Sequence, residues 1–190
     1  LEPDAPFAED LCGTCTACCT SSQFVHVGPD DVEARAHIPA ELLFPAPGRP
    51  PGHSLLGFDE RGHCPMLIDG GCSIYDHRPR TCRTYDCRVL TAAGVELGEP
   101  EKAAIDERAR RWRFTFATAN DAVGIEAIQA AGTFVRDHPE VLPAGPPPRA
   151  QLATLSLVVH DLFLARGAAG DTLVEPDVEA VRVAIRRRTG

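Results

Sequence analysis

At 190 residues and 20.4 kDa, the chain is long enough for one ordinary domain, or for one domain with a small appendage, and it can bury a core without cross-links. Its formal net charge of −8 at pH 7 falls in residues 1–99, and no long basic patch is present, which argues against nucleic-acid binding. No apolar run approaches the roughly 20 residues needed to span a bilayer, so the sequence predicts no membrane association.

The first half of the chain predicts short elements joined by loops. A Cys-rich loop of small residues covers 11–24, a short strand follows at 24–27, and residues 28–31 start a helix that continues to about residue 36. Repeated prolines predict a rigid loop over 38–52. Between residues 54 and 75, the pattern predicts short strands around the turns 59–62 and 69–71.

The second half predicts four helices. Apolar residues recur at helical spacing from 101 to about 118, where Trp112 and Phe116 are expected in the core, and again from 121 to 137. A proline-rich connector over 143–148 precedes a third, deeply buried helix, and Pro176 opens a fourth. The predicted fold is therefore α+β, with a small Cys-rich lobe of short strands (residues 1–99) packed on a mainly α-helical lobe (residues 100–190).

All eight cysteines lie within the first 87 residues, and their spacing predicts a metal site. The opening run is Cys-x-x-Cys-x-x-Cys-Cys, and one tight turn can aim thiols at two-residue spacing toward a single ion, with Zn–S bonds of about 2.3 Å. Thiols used only for packing would be scattered along the chain. The predicted metal ligands are Cys12, Cys15, Cys18, Cys19, Cys64, Cys72, Cys82 and Cys87.

The residue pattern leaves the bound group open between zinc and iron. Eight thiols could supply two four-ligand zinc sites, whereas Cys12, Cys15 and Cys18 reproduce the first three ligands of the bacterial ferredoxin run, which holds an iron–sulfur cluster. His63 and His77 lie near the later cysteines in the sequence, and either could replace a thiolate as a ligand.

Disulfides in an extracytoplasmic domain are a third interpretation, because the cysteine count is even. Adjacent Cys18 and Cys19 make such pairings hard to form without strain. The chain also opens without the basic and apolar regions of a signal peptide. We therefore expect a cytoplasmic protein with reduced cysteines.

The later cysteines stand in a specific motif: Cys64-Pro65-Met66-Leu67, Cys72-Ser73-Ile74-Tyr75, Arg78-Pro79, Cys82-Arg83 and a final Cys87. Together with the CxxCxxCC opening, this motif resembles the YkgJ-type cysteine-cluster family of zinc- or iron-chelating domains over roughly residues 12–88. The resemblance implies chelation of zinc or iron by the cysteines. A similar segment occurs in flagellin lysine N-methylases, where it resembles an iron–sulfur element, and this implies a redox or methyl-transfer enzyme as the alternative.

Three further side chains of the motif are predicted to surround the metal. Arg78 and Arg83 would offset the negative charge of the thiolates, and Tyr75 would shield the site from water. No dinucleotide-binding, zinc-protease or nucleophile-elbow motif is present in the sequence. The sequence thus predicts a metal-binding protein that holds zinc or iron, an iron–sulfur cluster included, and leaves open whether the protein is an enzyme.

Overall fold

The computed structural model of the protein describes residues 14–142 and 145–189. These residues form two compact units. The first unit contains the chain up to Asp86 together with Glu99–Arg108, and the second contains Cys87–Gly98 together with the chain from Ala109 onward.

The first unit is built around a three-stranded antiparallel sheet. Its strands are β1 (Val25–Val27), β2 (Leu43–Pro45) and β3 (Ser54–Leu56), in the order β1-β3-β2. Val25, Val27 and Leu56 are buried, and Val25 lies opposite Leu56 in the register. Apolar side chains on one face of the sheet therefore form the core of this unit, as the alternation along a strand allows.

A two-stranded hairpin and short helices complete the first unit. The hairpin pairs β4 (Leu67–Ile68) with β5 (Gly71–Cys72), and the helices are α1 (Val32–His37) and α2 (Arg80–Thr84). Asp69 and Gly70 form the hairpin turn, with φ of 50° and 77°. Two consecutive left-handed residues match the right-handed twist of the strands, which is why an Asp-Gly pair is favoured here.

The second unit is mainly helical. Its elements are α3 (Arg88–Ala93), the end of α4 (Ala103–Arg110), α5 (Ala119–Asp137), α6 (Arg149–Val159), the short strands β6 (Leu164–Ala165) and β7 (Thr172–Leu173), and α7 (Val178–Thr189). The Thr118 hydroxyl accepts a hydrogen bond from the backbone N–H of Asp121, and the Asp121 carboxylate accepts one from the N–H of Thr118. This reciprocal capping box fixes the start of α5. Buried side chains of α5, α6 and α7 form one apolar core.

The α+β prediction is confirmed, and four details of it were wrong. The proline-rich segment, predicted to be a loop, contains the strand β2, which pairs with β3. β3 is therefore the central strand of a three-stranded sheet, and it does not form a hairpin around the turn 59–62. The helix expected over 101–118 ends at Arg110. Phe116 is 46% exposed and does not belong to the core.

A side chain beyond α4 supplies a hydrogen bond at the helix end. The Arg113 guanidinium donates to the carbonyl of Arg110, which has no partner inside a helix that stops there, and also to the carbonyl of Trp112. The next helix then begins at its own cap, Thr118, eight residues after Arg110. Of the connector predicted over 143–148, the first two residues lie outside the described part of the chain.

Within residues 14–142 and 145–189, no helix combines the length and the apolar character needed to cross a membrane.

The core of the second unit generates a stability prediction on α7. Ile185 is 1% exposed within the apolar core, so Ile185→Ala should lower the free energy of unfolding by about 2–5 kcal/mol through lost burial and a residual cavity. Val183 lies on the same helix at 36% exposure, so Val183→Ala should change the free energy of unfolding by less than about 0.5 kcal/mol. Denaturant unfolding monitored by circular dichroism measures both, and equal losses would contradict the assignment of Ile185 to the core.

Candidate metal centre

Two loops are joined by backbone hydrogen bonds at the base of the cysteine cluster. The N–H of Cys64 donates to the carbonyl of Cys19 at 2.7 Å, and the N–H of Ser22 donates to the carbonyl of Gly62 at 2.8 Å. A Cβ atom on Gly62, which has φ of +78°, would lie 2.2 Å from the Ser22 hydroxyl. The positive φ of Gly62 and the close Ser22 side chain therefore favour glycine in the loop that precedes Cys64.

The hairpin and α2 contribute two more thiols. Cys72 lies on β5 opposite Leu67, and Cys82 lies on α2, where its N–H donates to the carbonyl of Pro79 at 2.9 Å. Cys64, Cys72 and Cys82 pack against the apolar core of the first unit. The thiols therefore lie between an apolar surface and the loops that hold them.

Four of these thiols form an electrostatically coupled group, which we call the thiol quartet: Cys19, Cys64, Cys72 and Cys82. Burial, and after it the neighbouring thiolates, raises the pKa of Cys19 to about 12 and that of Cys82 to about 12. The pKa of Cys64 is also raised, by burial and by Cys72. Every one of the six pairs within the quartet contributes to at least one of these shifts.

Arg78 supplies positive charge beside the quartet. Its guanidinium lowers the pKa values of Cys19 and Cys82 against the larger effect of burial. The Arg78 Nε donates to the carbonyl of Tyr75 at 2.7 Å, and the guanidinium lies 3.6 Å from the centre of the Tyr75 ring. Tyr75 thus holds Arg78 by a hydrogen bond and by cation–π contact.

A buried carboxylate ties α2 to α1. Asp31 is 8% exposed, and it accepts hydrogen bonds from the N–H groups of Gly28 at 2.8 Å and Arg80 at 2.7 Å. Arg83 lies 3.8 Å from the same carboxylate. Asp31 therefore fixes the start of the helix that carries Cys82.

The chemistry of this donor set fits a thiophilic cation. Ionising these thiols costs free energy twice, through desolvation and through repulsion between thiolates, so they bind protons when no cation is present. A metal ion at their centre offsets both costs. Cys15 also raises the pKa of Cys19, so five of the predicted cysteine ligands interact electrostatically.

Comparison with known proteins assigns the cluster to a family. The family described as CxxCxxCC, "putative zinc- or iron-chelating domain", matches residues 11–109. The chain belongs to this family. No curated protein and no solved structure matches the chain.

The CxxCxxCC domain extends further than the cysteine motif alone indicates. Its matched range ends one residue beyond Glu99–Arg108, the last segment of the first unit. The helices α5, α6 and α7 of the second unit follow after it. Metal binding by the first half of the chain is thus a property of its family.

The other cysteines predicted as ligands have different surroundings. Cys12 lies outside the described residues. Cys87 belongs to the second unit, where its Sγ accepts a hydrogen bond from the Trp112 indole N–H at 3.2 Å. Cys15, Cys19, Cys64, Cys72, Cys82 and Cys87 are half-buried and are not in disulfides.

The two histidines considered as alternative ligands have different neighbours. His63 donates its backbone N–H to the Asp59 carboxylate at 2.8 Å. His77 lies beside Glu33 and His37, and ligand atoms of these three residues lie within 4.8 Å of one another. Sequence reasoning missed this group, although Glu33 and His37 stand at the (i, i+4) spacing that places two side chains on one helix face.

The role of Asp31 generates a prediction for the CxxCxxCC domain. Asp31→Asn replaces one acceptor oxygen by an amide that cannot accept from a backbone N–H, so a buried donor loses its partner. The free energy of unfolding should fall by about 1–3 kcal/mol. Metal retained through gel filtration should also fall, because the helix that carries Cys82 loses its anchor.

Asp30→Asn is the matched control, since Asp30 is the exposed neighbour of Asp31. It should leave the unfolding curve and the metal content unchanged. Equal behaviour of the two variants would contradict the positioning role of Asp31.

Proposed function

We propose that Cys19, Cys64, Cys72 and Cys82 together hold one zinc or iron ion, and that the protein acts as a metal-chelating protein. The observation that carries this proposal is geometric: the Cys64 N–H donates to the Cys19 carbonyl, and Cys64, Cys72 and Cys82 pack on one apolar core. The mutual effects of the four thiols on their pKa values agree with it. Four thiolates around one ion are the closed, tetrahedral arrangement of structural metal sites. Reduced thiols of this kind are expected in the cytoplasm.

Charge and burial support a cation at the centre of the quartet. A divalent ion with four thiolates carries a formal charge of about −2. Arg78 stands where it offsets part of that charge, since its effect on Cys19 and Cys82 is the one expected of a nearby cation. The apolar core beneath Cys64, Cys72 and Cys82 limits access of water to the bound ion. Arg83, which contacts Asp31, would act on the metal through α2.

An iron–sulfur protein with a redox or methyl-transfer activity is the second candidate. Cys15 acts on Cys19, so a fifth thiol stands beside the quartet, and Cys12, Cys15 and Cys18 have the ferredoxin spacing. An iron–sulfur cluster would add electron-transfer chemistry to the same cysteines. An activity would then require a substrate pocket next to the cluster.

Elemental analysis separates the two candidates. Protein purified without oxygen should contain zinc or iron in about a 1:1 ratio to the chain and no labile sulfide, as a four-thiolate ion site requires. Iron with an equal amount of labile sulfide and broad visible absorption would overturn the single-ion proposal in favour of the iron–sulfur one. Protein with neither metal would overturn both.

A pair of serine variants tests the ligand assignment. Cys64→Ser removes one thiolate of the quartet and should lower the bound metal from about one equivalent to below about 0.2, because metal affinity depends on the full ligand set. Cys87→Ser makes the same atomic change at the thiol that the Trp112 indole contacts, and should keep the metal.

Inductively coupled plasma mass spectrometry after gel filtration measures the amount of metal bound per chain in each variant. Full metal content in Cys64→Ser would refute the quartet. Loss of metal in Cys87→Ser would place Cys87 in the ligand set and refute its restriction to these four cysteines.

A further inference from the structure

We propose that Glu33, His37 and His77 form a second metal site that takes a divalent transition ion such as Zn²⁺. This site uses imidazole and carboxylate ligands, so it differs in chemistry from the thiol quartet, and it does not depend on the function proposed for that quartet. Ligand atoms of the three residues lie within 4.8 Å of one another. A rotation of the side chains would bring them to the spacing of ligands on one ion.

Two elements of the first unit supply the three ligands. Glu33 and His37 lie on α1 at (i, i+4), so both project from one face of the helix. His77 ends the 3₁₀ turn Tyr75–His77, and its Nδ1 lies 3.9 Å from the Glu33 Oε2. The site therefore joins a helix to the turn that precedes Arg78.

The hydrogen bond of His37 prepares it as a ligand. Its Nδ1 lies 2.8 Å from the backbone carbonyl of Glu33, which can only accept, so Nδ1 carries the proton. The neutral ring then has its lone pair on Nε2. Histidine ligands in metal sites commonly have this arrangement, in which one ring nitrogen donates to a carbonyl and the other binds the ion.

A buried interaction outside the ligand set holds the two elements in place. Asp31 stands immediately before α1, and Arg80 stands three residues after His77; the Asp31 carboxylate accepts the Arg80 N–H at 2.7 Å. Because Asp31 is buried, this link is protected from water. The ligands therefore sit on a supported framework, although their side chains are reached from solvent.

The two imidazole rings must turn when an ion binds. His37 and His77 stack with ring centres 3.9 Å apart and an interplanar angle of 7°. Lone pairs of two parallel rings lie in parallel planes and cannot meet at one ion, so binding requires one ring to rotate. The side chain of Glu33 is 75% exposed and that of His77 is 42% exposed, which leaves room for this rotation.

The ligand set selects the class of ion. Two imidazoles and one carboxylate are the protein ligands of several zinc sites that keep a fourth position for water, and also of non-haem iron(II) sites. Magnesium and calcium prefer all-oxygen ligands and should bind weakly here. The exposed face of the site leaves the remaining positions to water.

Zinc titration of the full chain tests the proposal. The protein is used as isolated, with the metal of the thiol quartet still bound, and the amount of that metal is measured in the same sample. Histidine ring ¹⁵N and ¹H resonances are followed by NMR while Zn²⁺ is added. The ring signals of His37 and His77 should shift together, with one added equivalent bound, and Mg²⁺ should shift neither. Resonances of both rings that stay unchanged at saturating Zn²⁺ would overturn the proposal.

Single variants identify the ligands. His37→Gln, His77→Gln and Glu33→Gln should each weaken binding of the added Zn²⁺ on the order of 10–100-fold, measured by calorimetry, with the metal of the quartet unchanged. His160→Gln is the matched control, because the His160 Nδ1 also lies 2.7 Å from a backbone carbonyl, that of Leu157. Wild-type affinity in all three variants, or an equal loss in the control, would overturn the assignment.

Discussion

The packing of several thiols against one apolar core is the constraint on which the metal site depends. Cys64, Cys72 and Cys82 pack against an apolar core, and burial and neighbouring thiolates raise the pKa values of Cys19 and Cys82. A bound cation offsets both effects, because it is attracted to the same four sulfurs. Folding of the first unit and binding of a metal are therefore expected to be coupled.

The scaffold around the cysteines is made of very short elements, so individual polar contacts determine its geometry. The hydrogen bond from the Cys64 N–H to the Cys19 carbonyl joins two loops, and the buried Asp31 carboxylate joins α1 to α2. The hydrogen bonds from Cys64 to Cys19 and from Arg80 to Asp31 each connect segments that are distant in sequence. A small set of such links explains how three-residue strands and one-turn helices can position ligands.

Local patterns in the sequence predicted the features that depend on local chemistry. Cysteine spacing and the motif around Arg78 indicated a chelating site, and Asp69 with Gly70 indicated a hairpin turn, because each is set by neighbouring residues. The pairing of β2 with β3 was missed, since it depends on a partner about ten residues away that the intervening prolines conceal. The Glu33–His37–His77 group was missed for the same reason: its third member comes from a turn forty residues further along the chain.

X-ray absorption spectroscopy at the edge of the metal that the isolated protein carries tests the central claim most directly, because it counts the ligands of the ion. The thiol quartet predicts a first shell of four sulfur atoms, at about 2.3 Å for zinc, with no second metal nearby. A shell dominated by nitrogen and oxygen would contradict the claim that the cysteines bind the ion. An iron–iron scattering path at short distance would contradict the claim that the quartet holds a single metal ion.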